Sequence, residues 1–397
     1  GASTLGGASG SGCSGSGGIL GATGTGAIGV GEQAAGTLAI SEVELQLIDS
    51  SVSEVIIGRD DVPGPAQNAT IEVDDTGGLT GIATALRLRS EGGSGAITVG
   101  SDVTLATAGR AFVIEGADAT TTIPVSITVT TNGGDITVND SLALSDGVTV
   151  TANTSGGNVS VTGSIQGDGG DVSAENLTVN AGAGTVSLGD DGAADVINGS
   201  AGDGYFGDIF ITSSSTVDMN ATVTAKSVSV DGSGTADVTL ANTVTLNGVQ
   251  TVTGGNLDGS ADDALEIVAD SVTTADNIVA DGGGNIDLDA LLISGGTITL
   301  DSDTGNNVTA GDITVTGGSG DAAGRTLTLN ADTTGGTGGA VVIGTLDNSD
   351  DAGGATNNYL EGLTATVAGS AGDGSDDGTI RLIGNIGIDG TVGSQAT

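Results

Sequence analysis

Through most of the chain Val, Ile and Leu alternate with Thr, Ser, Asn and Asp, and each short alternating run ends at glycine. The stretch GGDITVNDSLALSDGVTVTANTSGGNVSVTG (133–163) shows the pattern without a single Lys, Arg, His or aromatic residue. Alternation with period two puts one set of side chains on each face of a strand, so each run predicts a half-buried β-strand. Gly-led strands recur at GGDITV (133), GGNVSV (156), AGTVSL (183), GDIFI (207), GTADVTL (234), GGNIDL (283), AGDITV (310) and GGAVVI (338). Shorter strands, VTVTA, NLTVNA, VTLNG, TITL and TLTLNA, lie between them. Many intervals are near 25–27 residues and one is close to double that. Self-similarity on this scale is the mark of a repeat architecture.

The pattern predicts an all-β fold, a parallel β-helix (β-solenoid) with coils of roughly 25 residues. Each coil would hold two or three strands, with Val, Ile and Leu inside and Thr, Ser and Asp in solvent. Gly and Asn supply positive φ at the corners. Small β-branched residues suit a narrow interior in which aromatics would be hard to fit. The competing arrangement is a string of antiparallel sandwiches, which would carry a larger core, more aromatics and more turn prolines. SADDALEIVADSV (260–272) is the best helical candidate, and it too reads as a strand or turn within the stack.

Three regions differ in texture. Residues 1–40 are a Gly-rich extension, in which Ile19, Leu20, Ile28 and Val30 are more apolar than a linker needs. They mark a candidate assembly strand that could add to the sheet of a second copy. Residues 41–116 form a first β region or cap, opening on SEVELQLIDSSVSEVIIGRDD. There Val43, Leu45 and Leu47 alternate with Glu42, Glu44 and Gln46, which predicts a strand. A second follows at EVIIG, Pro63 and Pro65 interrupt pairing, and ATIEV, ALRLR, GAITV and AFVIEG continue the series. Four of the six Arg lie here, so this region is less uniform than the repeats of 117–397.

Composition sharpens this picture. The 397 residues include 75 Gly, three Phe, two Tyr, one Met, and no Trp or His, so a single thick aromatic core is excluded. The steady supply of Val, Ile and Leu argues against disorder. The net charge of −43 disfavours nucleic acid and anionic lipid as partners. Such charge repels itself, so screening salt or divalent cations would help the folded state. The chain begins without Met and shows neither a leader-like segment nor an apolar run of about 18 residues. It therefore reads as a processed or partial chain with no transmembrane segment.

At SEVELQLIDSSVSEVIIGRDD, GAITVGSDVTL and the GGDITV…GVTVTA…GGNVSV repeats, the chain resembles the repeat regions of filamentous-haemagglutinin-like exoproteins of Gram-negative bacteria. The resemblance covers most of 41–393 and rests on rhythm and composition. It implies a right-handed parallel β-helix, export to the cell surface, and a role as adhesin or fibre. That family's N-terminal secretion domain is not recognisable here.

Catalytic chemistry finds little material. Without His, Ser-His-Asp and Cys-His nucleophiles are excluded, as are zinc sites of the Cys/His type. The Gly-rich turns join strand to strand, whereas phosphate-binding loops lead into a helix. A polysaccharide-active β-helix enzyme is the distant alternative, since among fifty acidic residues some pair always has a suitable spacing. Calcium is the one candidate ligand, at turns dense in carboxylates. Asp190, Asp191, Asp195, Asp203 and Asp208 form one such group, and Asp373, Asp376 and Asp377 another. Asn-X-Ser/Thr triplets occur at Asn68, Asn139, Asn153, Asn158, Asn176, Asn198, Asn220 and Asn307. Cys13, the only cysteine, excludes an intramolecular disulfide. The expected function is a non-enzymatic extracellular or cell-surface filament subunit that assembles head to tail with itself. The second class is an adhesin stalk that binds a host receptor or glycan.

Overall fold

A computed structural model describes residues 17–19, 27–36, 38–58, 70–90, 95–116, 120–167, 175–189, 195–199, 205–213, 215–232, 236–246, 263–268, 271–274, 277–280, 285–293, 297–302, 307–315, 325–331, 340–344, 346–348, 360–367, 379–383 and 386–388. These residues form a parallel β-solenoid, in which every described strand pairing is parallel and joins one coil to the next. Each coil visits three sheets in turn. Strands Phe112–Gly116, Thr121–Ile123 and Ile127–Thr130 make one coil, and Ile136–Asn139, Leu142–Leu144 and Thr149–Asn153 make the next.

The alternation seen in sequence becomes columns along the solenoid axis. In the first sheet Leu86, Phe112, Ile136, Val159, Val186, Val217 and Val238 are successive partners and all are buried. In the second, Leu142, Ile165, Ile197, Val223, Val244 and Ile278 do the same. Val129, Ala152, Val179, Ile211, Val230, Ile267, Leu288, Ala310 and Ile343 run up the third. Each buried Val, Leu or Ile contributes about 1.5–3 kcal/mol relative to exposure, so a thin core gains its stability by repetition. A one-residue slip would turn a whole column outward, and this fixes the register. Coil length is less strict, since equivalent corner residues lie 22 to 33 residues apart.

Three expectations are corrected. Glu42–Gln46 is an α-helix (α1), not a strand. Ser41 caps it: its hydroxyl accepts from the Glu44 N–H at 3.3 Å, and the Glu44 carboxylate accepts from the Ser41 N–H at 2.9 Å. This reciprocal Ser-x-x-Glu cap outweighs the alternating pattern, and only Leu45 of the apolar trio is buried. Aromatics do fit the interior, since Phe112 and Phe206 are both fully enclosed. Phe206 stands beside Ala225 of the next coil, whose small side chain leaves room for the ring. An apolar void lined by Phe112, Ile136, Val159 and Leu177 marks a second place where the interior is wide.

The third correction concerns Ile28 and Val30. Ile28 and Val30, expected to dock on a neighbour, are fully buried in their own chain. Their strand, Ile28–Val30, lies between Leu38–Ile40 and Ile71–Val73. Ile19 belongs to a strand that pairs with Glu54–Gly58 of the same chain, with Ile19 opposite Ile57. Leu20 lies outside the described residues. Ile28 and Val30 therefore belong to a coil of their own chain, and the strand that holds Ile19 pairs within that chain too.

Strand pairing continues across residue 116 without a break, from Leu86 to Phe112 to Ile136. The arginines of the early coils have local partners. Arg87 bridges Glu54 at 2.8 Å and also contacts Glu115, which Arg89 approaches at 3.1 Å. Arg110 donates to the carbonyls of Ser50 and Ser53, tying the turn after α1 to the corner two layers further on.

Candidate functional site

Among the described residues the candidate functional features are the corners that set the stack and the surfaces at the two ends of the described strands. The corner between the third and first sheets is the most regular. Gly133 and Gly156 have φ of +76° and +119°, where an L side chain would be strained. The glycines that follow, Gly134 and Gly157, together with Gly184, form a column. A Cβ on any of them would overlap backbone of the corner below, at Arg110, Gly134 and Gly157 respectively. Buried hydroxyls hold each corner closed: Thr131 donates to the Gly134 carbonyl, Thr154 to that of Gly157, and Ser213 to that of Gly184. All three hydroxyl residues are fully buried.

Beside the glycines runs a polar ladder that the repeat pattern alone did not reveal. The residue just before a strand often carries an oxygen that accepts the backbone N–H of its counterpart one coil on. Asp135 Oδ1 accepts from Asn158 at 2.8 Å, and Asn158 Oδ1 from Thr185 at 2.9 Å. Ser141 and Ser164 repeat the arrangement at the next corner, accepting from Ser164 and Val196. At the third corner Ser126 accepts from Thr149, Asn176 from Asp208, and Asn285 and Asn307 from Asn307 and Ala340. Each of these side chains gives a corner N–H a partner; the bonds from Ser164, Val196 and Asp208 are half-buried, where an unpaired N–H is costly, and the others lie at the surface. The signal was present in sequence as the Asp, Asn or Ser preceding Ile, Val or Leu in GGDITV, GGNVSV, NDSLAL and TGSIQG. Asn158, Asn176 and Asn307 of the Asn-X-Ser/Thr triplets thus have ladder roles. Asn68 and Cys13 lie outside the described residues.

Asp140, beside this ladder, accepts from the Thr121 hydroxyl at 2.7 Å and the Ser141 N–H at 2.8 Å. Burial pushes its carboxyl above the ordinary value of 3.8, against these hydrogen bonds. A raised pKa means that the folded state holds the proton more tightly than the unfolded chain. The resulting cost is absent below the unfolded value and grows as pH rises through the folded one. Asp140→Asn keeps an acceptor for Ser141 and removes the charge. It should raise the Tm at pH 7 in thermal melts, with the advantage vanishing near and below pH 3.8.

Of the candidate calcium ligands, only Asp195 and Asp208 lie among the described residues; Asp190, Asp191, Asp203, Asp373, Asp376 and Asp377 lie outside them. Asp195 is half-buried and its carbonyl accepts from the Thr222 N–H at 3.0 Å. Asp208 is buried, with Ser227 donating to one carboxylate oxygen and Lys226 Nζ 3.9 Å from the other. Its charge is therefore answered from within the fold. Among the described residues no group of three or more His, Cys, Asp or Glu side chains is placed to hold a metal ion. No helix among them is long and apolar enough to cross a membrane.

The two ends of the stack differ. At the head, α1 lies over Leu79–Ile82, the first strand of the third sheet. Glu42 accepts from the Thr80 N–H at 2.9 Å and from its hydroxyl at 2.6 Å, and the Gln46 amide donates to the Thr80 carbonyl at 3.0 Å. Two side chains of α1 thus occupy backbone groups that another strand would otherwise take. At the tail, Leu360–Val367, Thr379–Leu382 and Ile386–Ile388 are the last described strands of the second, third and first sheets. The large apolar side chains exposed among the described residues are Val43, Leu47, Val125, Leu363, Ile380 and Ile383. All but Val125 lie on α1 or its C-cap, or at the last described coil.

Comparisons with protein-family models, curated proteins and solved structures found no match.

Proposed function

We propose that this chain is a structural subunit of an extracellular or cell-surface filament, polymerising head to tail along the solenoid axis. The observation that carries the reading is that, among the described residues, the exposed large apolar side chains concentrate at the two ends of the described stack. Scattered apolar residues need no explanation, but ones gathered at opposite ends of a rod are complementary by position. A contact between different surfaces of identical subunits propagates and does not close into a dimer. The likeness in rhythm to filamentous-haemagglutinin-like exoproteins supports the same reading. The flanks carry regular polar columns such as Thr137, Ser160, Ser187, Asp218 and Thr239, which suit solvent along a fibre.

With a net charge of −43, copies repel one another until salt screens them. Polymerisation should accordingly increase with ionic strength. In light scattering and negative-stain microscopy, short particles should lengthen into fibres as the Debye length falls from ~30 Å at 0.01 M to ~8 Å at 0.15 M salt. Monodisperse single rods at every salt and protein concentration would end the filament reading.

A further inference from the structure

Resting on that filament reading, we infer that the joint between two copies is built from two unlike contacts. The first and second sheets run on from tail to head as paired strands, while the third sheet ends against helix α1 of the next copy. The head leaves the outer edges of Gly17–Ile19 in the first sheet and Leu38–Ile40 in the second without a further described strand. Their counterparts at the tail are Ile386–Ile388 and Leu360–Val367. Sheet-to-sheet continuation in phase brings each pair of edges together with the parallel sense found throughout the stack.

The third sheet cannot continue in this way, because Glu42 and Gln46 already occupy the edge of Thr80. In the same phase its last strand, Thr379–Leu382, meets the outer face of α1. That face carries Val43 and Leu47, 54 % and 79 % exposed, one turn apart. Opposite them stand Ile380 and Ile383, 48 % and 61 % exposed. Ile380 stacks on the fully buried Val341, so it is a core-column residue whose next layer is missing among the described strands. Charge agrees in sign: the exposed Arg381 lies between the two isoleucines, whereas the ionisable side chains of α1 are all acidic, Glu42 held on Thr80 and Glu44 on Ser41, with no basic residue in its last turn. A second copy therefore supplies apolar surface and opposite charge in one contact, and the helix sets both the polarity and the rotational phase of the joint.

The test uses two full-length variants under conditions in which the unmodified chain forms fibres. Val43→Asp with Leu47→Asp disables the head, and Ile380→Asp with Ile383→Asp disables the tail. Thermal melts matching the parent would establish that both still fold. Each variant alone should be monomeric in sedimentation, and an equimolar mixture should give one heterodimer and nothing longer, since one good head and one good tail remain. Fibres from either folded variant, or a mixture that stays monomeric, would overturn this joint while leaving the filament reading in place. A parent chain that never polymerises would remove the filament reading itself, and with it the joint.

Discussion

Gly157→Ala should lower the melting temperature by about 10 °C or prevent folding, while Gly133→Ala, one corner below, lowers it by only a few degrees. The two glycines look alike in sequence, each within a Gly-Gly pair ahead of a strand. Their structural constraints are opposite. Gly133 has φ +76° but nothing within 4 Å of the position a Cβ would take, so alanine meets only backbone strain of about 1–2 kcal/mol. At Gly157 the added methyl would overlap the Gly134 carbonyl. That carbonyl cannot retreat easily, because the buried Thr131 hydroxyl holds it. Gly134 is in turn packed on Arg110, and Gly184 on Gly157, so a shift at one corner is passed to its neighbours. The methyl therefore forces coils apart or breaks the hydroxyl clamp, and either costs several kcal/mol. Melts of the two variants followed by circular dichroism decide the matter. A Gly133 variant less stable than the Gly157 variant would show that φ strain governs the corner and close approach does not.

Much of the fold was legible because its driving pattern is local and repeated. The alternation in GGDITV and GGNVSV set which side chains face inward, and the buried column through Ile136 and Val159 follows directly. The Gly pairs announced corners, though not which glycine of each pair is crowded, since that depends on the coil below. Residues 42–46 read as a strand because Glu-Val-Glu-Leu-Gln satisfies a period of two, and the five-residue helix is too short to display its own period. The deciding signal was Ser41 with Glu44 three residues on, a local hydrogen-bonding pattern that hydrophobic spacing does not register. Ile28 and Val30 read as residues for a partner because their glycine-rich surroundings look unable to fold alone. They fold by pairing with Ile71 and Val73, some forty residues downstream, a contact that no local reading contains. The end surfaces were legible only in part. Ile380 belongs to an ordinary inward column, and only the stack reveals that its neighbour on one side is missing among the described strands.

Excision of one whole coil, residues 135–157, should leave a cooperatively folded solenoid, whereas removal of 135–146 should destroy the fold around the deletion. Asp135 and Asn158 are ladder equivalents 23 residues apart, so the longer deletion joins Gly134 to the residue that occupies the same place one coil later. Phe112 then faces Val159 in place of Ile136, and Val129 faces Val179 in place of Ala152, with apolar partners kept in both columns. The corner survives as well, because Thr131 still closes on Gly134 and Asn158 still offers its oxygen to Thr185. In a stack each coil touches only its neighbours, so losing one removes one layer's worth of stability and little else. The shorter deletion removes Ile136–Asn139 and Leu142–Leu144 but keeps Thr149–Asn153. One third-sheet strand would then follow another across a corner built to enter the first sheet, and the coils on either side would lose their common register. Circular dichroism and limited proteolysis should show parent-like β content and resistance for the whole-coil variant. The shorter deletion should show cleavage near the new junction and a broadened or split melt. Equal damage from both deletions would mean that the coil is not the folding unit. Survival of the whole-coil variant alone would show that this chain is stabilised layer by layer, and that its length is adjustable in steps of one turn.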